Sequence, residues 1–182
     1  MKTSSLMIAT ALALVGMLTA TGACAQSKAV IDTNVASTLA HFIALDSRHE
    51  ALLRRAVGVL IFPTLVKGGI GLATAYGAGA LQTDGATEGY YSLASASVGL
   101  TAGMETHSEI ILFMTRNALD KFLKSKGWAV GADTGVTVME KSTAADYESV
   151  TLGKPVLRFV FDEEGLMADI SVSGGKINRL AR

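Results

Sequence analysis

Two glycine-rich stretches without a charged residue dominate the middle of this chain. They cover residues 68–83 and 89–104, 16 residues each, and the dipeptide Asp84-Gly85 lies between them. Asp-Gly between two extended segments is a strong signal for a tight β-hairpin turn. The pattern therefore predicts a long antiparallel hairpin at the centre of the fold.

The first arm of this hairpin has two unlike faces, because side chains alternate along a strand. One face carries Ile70, Leu72, Thr74 and Tyr76, and the other carries Gly71, Ala73, Ala75, Gly77 and Gly79. Glycine weakens a strand unless the sheet bends sharply or another group approaches closely. The nearly bare face thus indicates either a curved or helix-covered sheet, or a groove for an acyl chain.

Helical periodicity precedes the hairpin. Apolar residues recur on one face from Val30 to Ile43, and Ser47 with Glu50 forms a capping-box pattern that predicts the start of a second helix. An apolar run at 57–62 predicts a strand that ends at Pro63, and a further strand is expected at 110–114.

The remainder reads as one helix and several strands. A short helix is predicted from Ala118 to Ser125 with Asn117 as its cap, and strands are expected at 135–141, 155–161 and 166–173. The fold class is therefore α+β: a mainly antiparallel, strongly curved, barrel-like glycine-rich sheet, with amphipathic helices before it and one short helix after the central strands.

The first 25 residues have the pattern of an export signal: Lys2, an uncharged apolar run, and then small residues. Ala23-Cys24-Ala25 fits ordinary signal peptidase, whereas Thr21-Gly22-Ala23-Cys24 resembles a lipobox that would place a lipid on Cys24. We expect an exported protein, free in the periplasm or anchored to the outer membrane through Cys24. The predicted divisions are 1–25, an N-terminal helix at 26–46, and one domain at 47–182.

Composition argues against several functional classes. The 182 residues include 16 basic and 16 acidic side chains, so no overall positive charge attracts nucleic acid. Cys24 is the single cysteine, which leaves no disulfide or thiolate chemistry to the mature domain. No catalytic or nucleotide-binding motif is present, so we predict a protein that is not an enzyme and needs no cofactor.

Two polar groupings remain as candidate sites. Glu105, His107 and Glu109 would project from one side of a strand, which is a weak pattern for a metal site. Arg54, Arg55 and Lys67 surround the strand predicted at 57–62, and a few such cations next to glycine-rich backbone suit a phospholipid head group.

The stretch from 55 to 81 resembles the SYLF family of lipid-binding domains, which includes yeast actin-patch proteins. The resemblance rests on the spacing of Phe62-Pro63, Lys67, Gly69, Tyr76-Gly77 and Gly79, and it extends over roughly residues 47–180. Tyr90-Tyr91 stands where eukaryotic members tend to have tryptophan, which places the chain with the exported bacterial branch. The resemblance implies lipid binding, and we do not carry over the actin binding of eukaryotic members.

Together these patterns predict an exported, non-enzymatic protein that binds an anionic phospholipid membrane. We expect Arg54, Arg55 and Lys67 to contact the head group, and Phe62, Ile70 and Tyr76 to be the apolar contacts. The alternative is a periplasmic structural or assembly protein, which would use the small-residue face of the sheet as a protein interface and could form a homo-oligomer.

Overall fold

The computed structural model describes residues 26–130, 135–139, 151, 153–162, 165–166 and 174–181. Three helices and seven strands lie in these ranges. In chain order they are α1 (Lys28–Leu45), α2 (Ser47–Arg55), β1 (Gly58–Thr83), β2 (Ala86–Phe113), α3 (Arg116–Lys124), β3 (Trp128–Val130), β4 (Val136–Met139), β5 (Val156–Asp162), β6 (Gly165–Leu166) and β7 (Gly174–Arg179).

The predicted hairpin is confirmed, and it is longer than expected. Strands β1 and β2 pair antiparallel from Gly58 opposite Phe113 to Thr83 opposite Ala86. The turn residues have φ angles of 50° at Asp84 and 78° at Gly85, as a type I′ hairpin turn requires. The strands predicted separately at 57–62 and 110–114 belong to this one hairpin.

Pro63 does not end the strand, contrary to the sequence-based prediction. The pairing register shifts between Phe62 and Leu65, so Pro63 lies in a bulge, where a residue without an N–H group is tolerated. The Ser108 hydroxyl donates to the carbonyl oxygen of Pro63 at 2.7 Å, which satisfies an acceptor that the irregular pairing leaves open.

Strand β1 bends near its middle, and its second half lies against its first. The register shifts again between Ile70 and Leu72. A β-carbon built at Gly77 would lie 2.3 Å from the carbonyl oxygen of Thr64, and one at Gly79 would lie 2.0 Å from that of Ile61. The glycines therefore permit this close approach, and the small-residue face reflects a strongly curved, barrel-like sheet.

The sheet contributes residues to two buried clusters. Its order is β3-β7-β2-β5-β4, with β1 also paired to β2 and β6 paired to β5. Among the strand pairs within the described ranges, only β4 with β5 is parallel. One buried cluster contains Leu60, Phe62 and Phe113 with α3, and the other contains Ile61, Phe159 and Phe161 under α1. The predicted α+β fold class is confirmed.

The helix starts differ from those predicted. Asp46, not Ser47, caps α2: its carboxylate accepts from the backbone N–H of Arg48 and from the Arg48 side chain. These hydrogen bonds lower the pKa of Asp46 to about 2. Thr115, not Asn117, caps α3. Within the described residues, no helix has both the length and the apolar character needed to cross a membrane.

Candidate functional site

The bend of the hairpin exposes a group of large apolar side chains. Ile70 is 87% exposed and Met104 is 82% exposed, although such residues are usually buried. Three further side chains on the same stretch of β1 are also exposed. We call these five residues the bend patch: Val66, Ile70, Leu72, Tyr76 and Met104.

Register explains why part of the bend patch is contiguous. Val66 lies opposite Thr106 and Gly68 lies opposite Met104, so Val66, Ile70 and Met104 project from one face of the paired strands. Ile70 and Tyr76, two of the predicted apolar contacts, are both in the patch. The sequence-based prediction did not include Met104. Its position at the end of the second uncharged stretch is the feature that could have indicated it.

Lys67 directly follows Val66 of the bend patch in β1, and its side chain projects from the opposite face of the paired strands. Its Nζ lies 2.7 Å from Oε1 of Glu105, directly across the strand pair, and both side chains keep access to solvent. An exposed pair of this kind contributes little to stability. The ammonium of Lys67 can therefore exchange Glu105 for another anion at small cost.

Arg54 and Arg55 are at the other end of this strand. They form the last turn of α2, where Arg54 pairs with Glu50 at 2.5 Å. Lys67 lies nine positions after Gly58 in β1, which is about 30 Å of extended chain. The structure therefore does not bring the three predicted head-group residues together.

Phe62 is not available as a lipid contact. Its side chain has no exposed surface and packs in the core cluster that also contains Leu65 and Ile111. Alternation along β1 places Phe62 on the same buried face as Leu60, two residues earlier. The prediction of an apolar contact at Phe62 is thus corrected.

The small-residue face of β1 is also buried. Ala73, Ala75, Gly77 and Gly79 are covered within the domain, and the last two contact the first half of their own strand. This face is filled by the protein itself. It offers neither the acyl-chain groove nor the protein interface that the sequence left open.

A buried ion pair lies beside the bulge at Pro63. Arg158 on β5 contacts both carboxylate oxygens of Glu109 on β2, at 2.5 and 2.9 Å, and His107 Nε2 lies 3.4 Å from Glu109. Burial alone would raise the pKa of Glu109, but hydrogen bonds from His107 and Arg158 and the Arg158 charge outweigh it, so the pKa is lowered. Arg158 was missed, although one arginine inside the apolar run 156–161 signals a buried partner.

The hypothesis of a metal site at Glu105, His107 and Glu109 is not supported. Glu105 contacts Lys67, whereas Glu109 contacts Arg158. Across the described ranges, no three His, Cys, Asp or Glu residues are arranged to hold a metal ion. Cys24 and the predicted export signal lie outside the described residues.

Comparison with known proteins gives one family match. Residues 94–180, from the middle of β2 to the residue after β7, match the family Ysc84, described as Las17-binding protein actin regulator. No curated protein matches the chain. Ysc84 is the family of the SYLF domain, so the match agrees with the resemblance found in the sequence. Residues 94–180 are therefore similar to the SYLF, or Ysc84, domain.

Proposed function

We propose that this chain is a non-enzymatic, exported lipid-binding protein that binds anionic phospholipid at a bacterial envelope membrane. The family match supports lipid binding as the general activity. Residues 1–25 support export on their sequence pattern. The observation that carries the proposal is the bend patch, which leaves large apolar side chains in water beside the cation of Lys67.

The bend patch is the proposed membrane contact. Ile70 and Met104 enter the apolar part of the bilayer, and full burial of one such side chain is worth roughly 1.5–3 kcal/mol. Lys67 then lies at the level of the head groups and exchanges Glu105 for a lipid phosphate. Each cation near an anionic surface adds about 1 kcal/mol. Arg54 and Arg55 are left out of this contact because they lie at the far end of β1.

The first test is co-sedimentation of the purified protein with vesicles. We expect Ile70→Ser with Met104→Ser to weaken binding by roughly tenfold or more, since two apolar anchors are lost. Lys67→Gln should weaken binding about fivefold to phosphatidylglycerol vesicles and leave binding to neutral vesicles unchanged. Raising the salt concentration should act in the same direction as Lys67→Gln.

Two matched variants serve as controls. Ile43→Ser removes a partly exposed apolar side chain on α1, and Arg54→Gln with Arg55→Gln removes two cations at the end of α2. Neither should change vesicle binding. If the Ile70 and Met104 variant binds vesicles as the parent does, the proposed contact is wrong. A stable oligomer that ignores lipid in light scattering would favour the structural or assembly alternative instead.

A further inference from the structure

The outer face of the sheet beside the bend patch carries a further cation. Tyr76 on β1, Ala94 on β2 and Lys176 on β7 lie directly opposite one another across three adjacent strands, so their side chains share one face. All three are exposed. Their neighbours Leu93 and Ile177 project from the other face into a buried cluster. Because adjacent strands are about 4.8 Å apart, the backbone of Lys176 lies about 10 Å from that of Tyr76.

Within the described residues, helix α1 covers this outer face only nearer to the hairpin turn. There the Tyr90 hydroxyl donates to Asp32 of α1 at 2.8 Å, and Ala80, opposite Tyr90, belongs to the cluster under the helix. Nearer to the bend, Thr74 and Ala96 lie opposite each other and both are exposed. The outer face is therefore open from the bend patch across to β7.

Lys176 has no ion pair in the described part of the chain, and neither has Lys126. The two residues meet at Gly127. A β-carbon built there would lie 2.5 Å from Cε and 3.3 Å from Nζ of Lys176, so the lysine side chain lies against the loop that follows α3. Lys126 directly precedes Gly127 and is exposed. Two neighbouring cations of this kind attract an anion to the surface between them.

We propose that Lys176, with Lys126 beside it, binds the phosphate of an anionic phospholipid in the bilayer that receives the bend patch. The inference deepens the proposed function and rests on it. Apolar side chains, an aromatic ring with a polar tip, and ammonium groups follow one another across the open face from Ile70 to Tyr76 to Lys176. Acyl chains, interface and phosphate follow in the same order in a bilayer leaflet.

Lys67 and Lys176 differ in how readily they can meet a phosphate. Lys67 projects from the opposite face to Val66 and is held by Glu105 at 2.7 Å. Lys176 lies on the same face as Tyr76 and gives up no such partner among the described residues. An ammonium on a flexible four-carbon stem can reach a phosphate at the membrane surface. Removal of Lys176 should therefore cost at least as much binding as removal of Lys67.

Co-sedimentation of the purified protein with phosphatidylglycerol vesicles tests the inference. Lys176→Gln should weaken binding about fivefold, and Lys126→Gln/Lys176→Gln about twentyfold, because each cation near an anionic surface adds a similar increment. Lys176→Arg keeps the charge and should bind as the parent does. Binding to neutral phosphatidylcholine vesicles should be the same for all of these proteins.

Lys154→Gln is the matched control. Lys154 is also exposed and has no ion pair among the described residues, but it precedes β5, which pairs with the other half of β2. Its removal changes the net charge by the same amount as Lys176→Gln and should leave vesicle binding unchanged. Acetylation of the lysines in the parent, followed by mass spectrometry, is a second measurement: vesicles should protect Lys176 and leave Lys154 reactive.

Full binding by Lys126→Gln/Lys176→Gln, or equal acetylation of Lys176 with and without vesicles, would overturn the inference. So would an equal loss with Lys154→Gln, since net charge alone would then account for the binding. Ile70→Ser/Met104→Ser separates the two proposals: if it loses vesicle binding while the double lysine variant keeps it, only the phosphate site is wrong. A parent that binds no vesicles would refute the proposed function and the inference with it.

Discussion

Gly79 shows how a single missing side chain allows the hairpin to fold on itself. A β-carbon at this position would lie 2.0 Å from the carbonyl oxygen of Ile61 and 2.8 Å from the Phe62 ring. Backbone atoms cannot move aside as a flexible side chain can. Gly79→Ala must therefore push the two halves of β1 apart.

We expect Gly79→Ala to lower the free energy of unfolding by roughly 2–3 kcal/mol, as overpacking of a filled interior does. The midpoint of thermal unfolding should fall by about 4–12 °C for a domain of this size. Circular dichroism during heating measures it. Gly89→Ala is the control, because its β-carbon would meet no atom closer than 3.4 Å. A Gly79→Ala variant as stable as the control would contradict the close contact.

The ion pair between Glu109 and Arg158 affects the free energy of unfolding through charge rather than through packing. Both side chains are at least 95% buried, so removal of one charge leaves the other without compensation. Glu109→Gln should lower the free energy of unfolding by about 3–5 kcal/mol, whereas an apolar pair of similar volume is often tolerated. Urea unfolding of Glu109→Leu, Arg158→Met and Glu109→Leu/Arg158→Met measures the coupling. The double variant should be more stable than either single one; additive losses would argue against a buried pair.

At the scale of elements, local patterns predicted the hairpin, but its extent depended on contacts across the sheet. Alternation along 70–76 and the Asp84-Gly85 turn are properties of adjacent residues, and both predictions are confirmed. Pro63 was expected to end a strand because its missing N–H is costly in regular pairing. The bulge opposite Ser108 removes that cost, and no local pattern announces a bulge.

The candidate site was predictable only in part for the same reason. Alternation places Ile70 and Tyr76 on one face of β1, and in this part of the strand that face is exposed. Phe62 has the same apolar character, yet it lies in a part of β1 whose two faces are both buried, and its ring packs in the core with Leu60. Proximity of Arg54 to Lys67 was inferred from sequence distance. An extended strand places such residues far apart, whereas a helix would have kept them close.

Three ionisable groups have lowered pKa values in the folded protein, so we expect acid to destabilise it. Burial lowers the pKa of His49 below its ordinary 6.5, and this effect outweighs the hydrogen bond from Nδ1 to the Phe42 carbonyl oxygen. The pKa of Glu109 is lowered from 4.5, and that of Asp46 from 3.8 to about 2. In all three cases the unfolded chain binds protons more readily than the folded protein does.

Stability should therefore fall in stages as the pH is lowered, because the unfolded state takes up more protons. A first decrease is expected below about pH 6.5 from His49, and a second below about pH 4.5 from Glu109, joined by Asp46 between about pH 3.8 and 2. Each contribution is complete above the ordinary pKa of its group and is lost on the acid side. Urea unfolding followed by circular dichroism at a series of pH values gives the curve.

His49→Asn separates the first stage from the others. The asparagine amide can still donate to the Phe42 carbonyl oxygen, so the variant removes the titrating ring while a donor remains. Loss of the ring stacked on Phe42 at 3.9 Å lowers stability at every pH and does not by itself change the slope. The decrease between about pH 7 and 5 should then become shallow, while the decrease below pH 4.5 persists. An unchanged slope above pH 5 would show that His49 takes up its proton equally well in the folded protein.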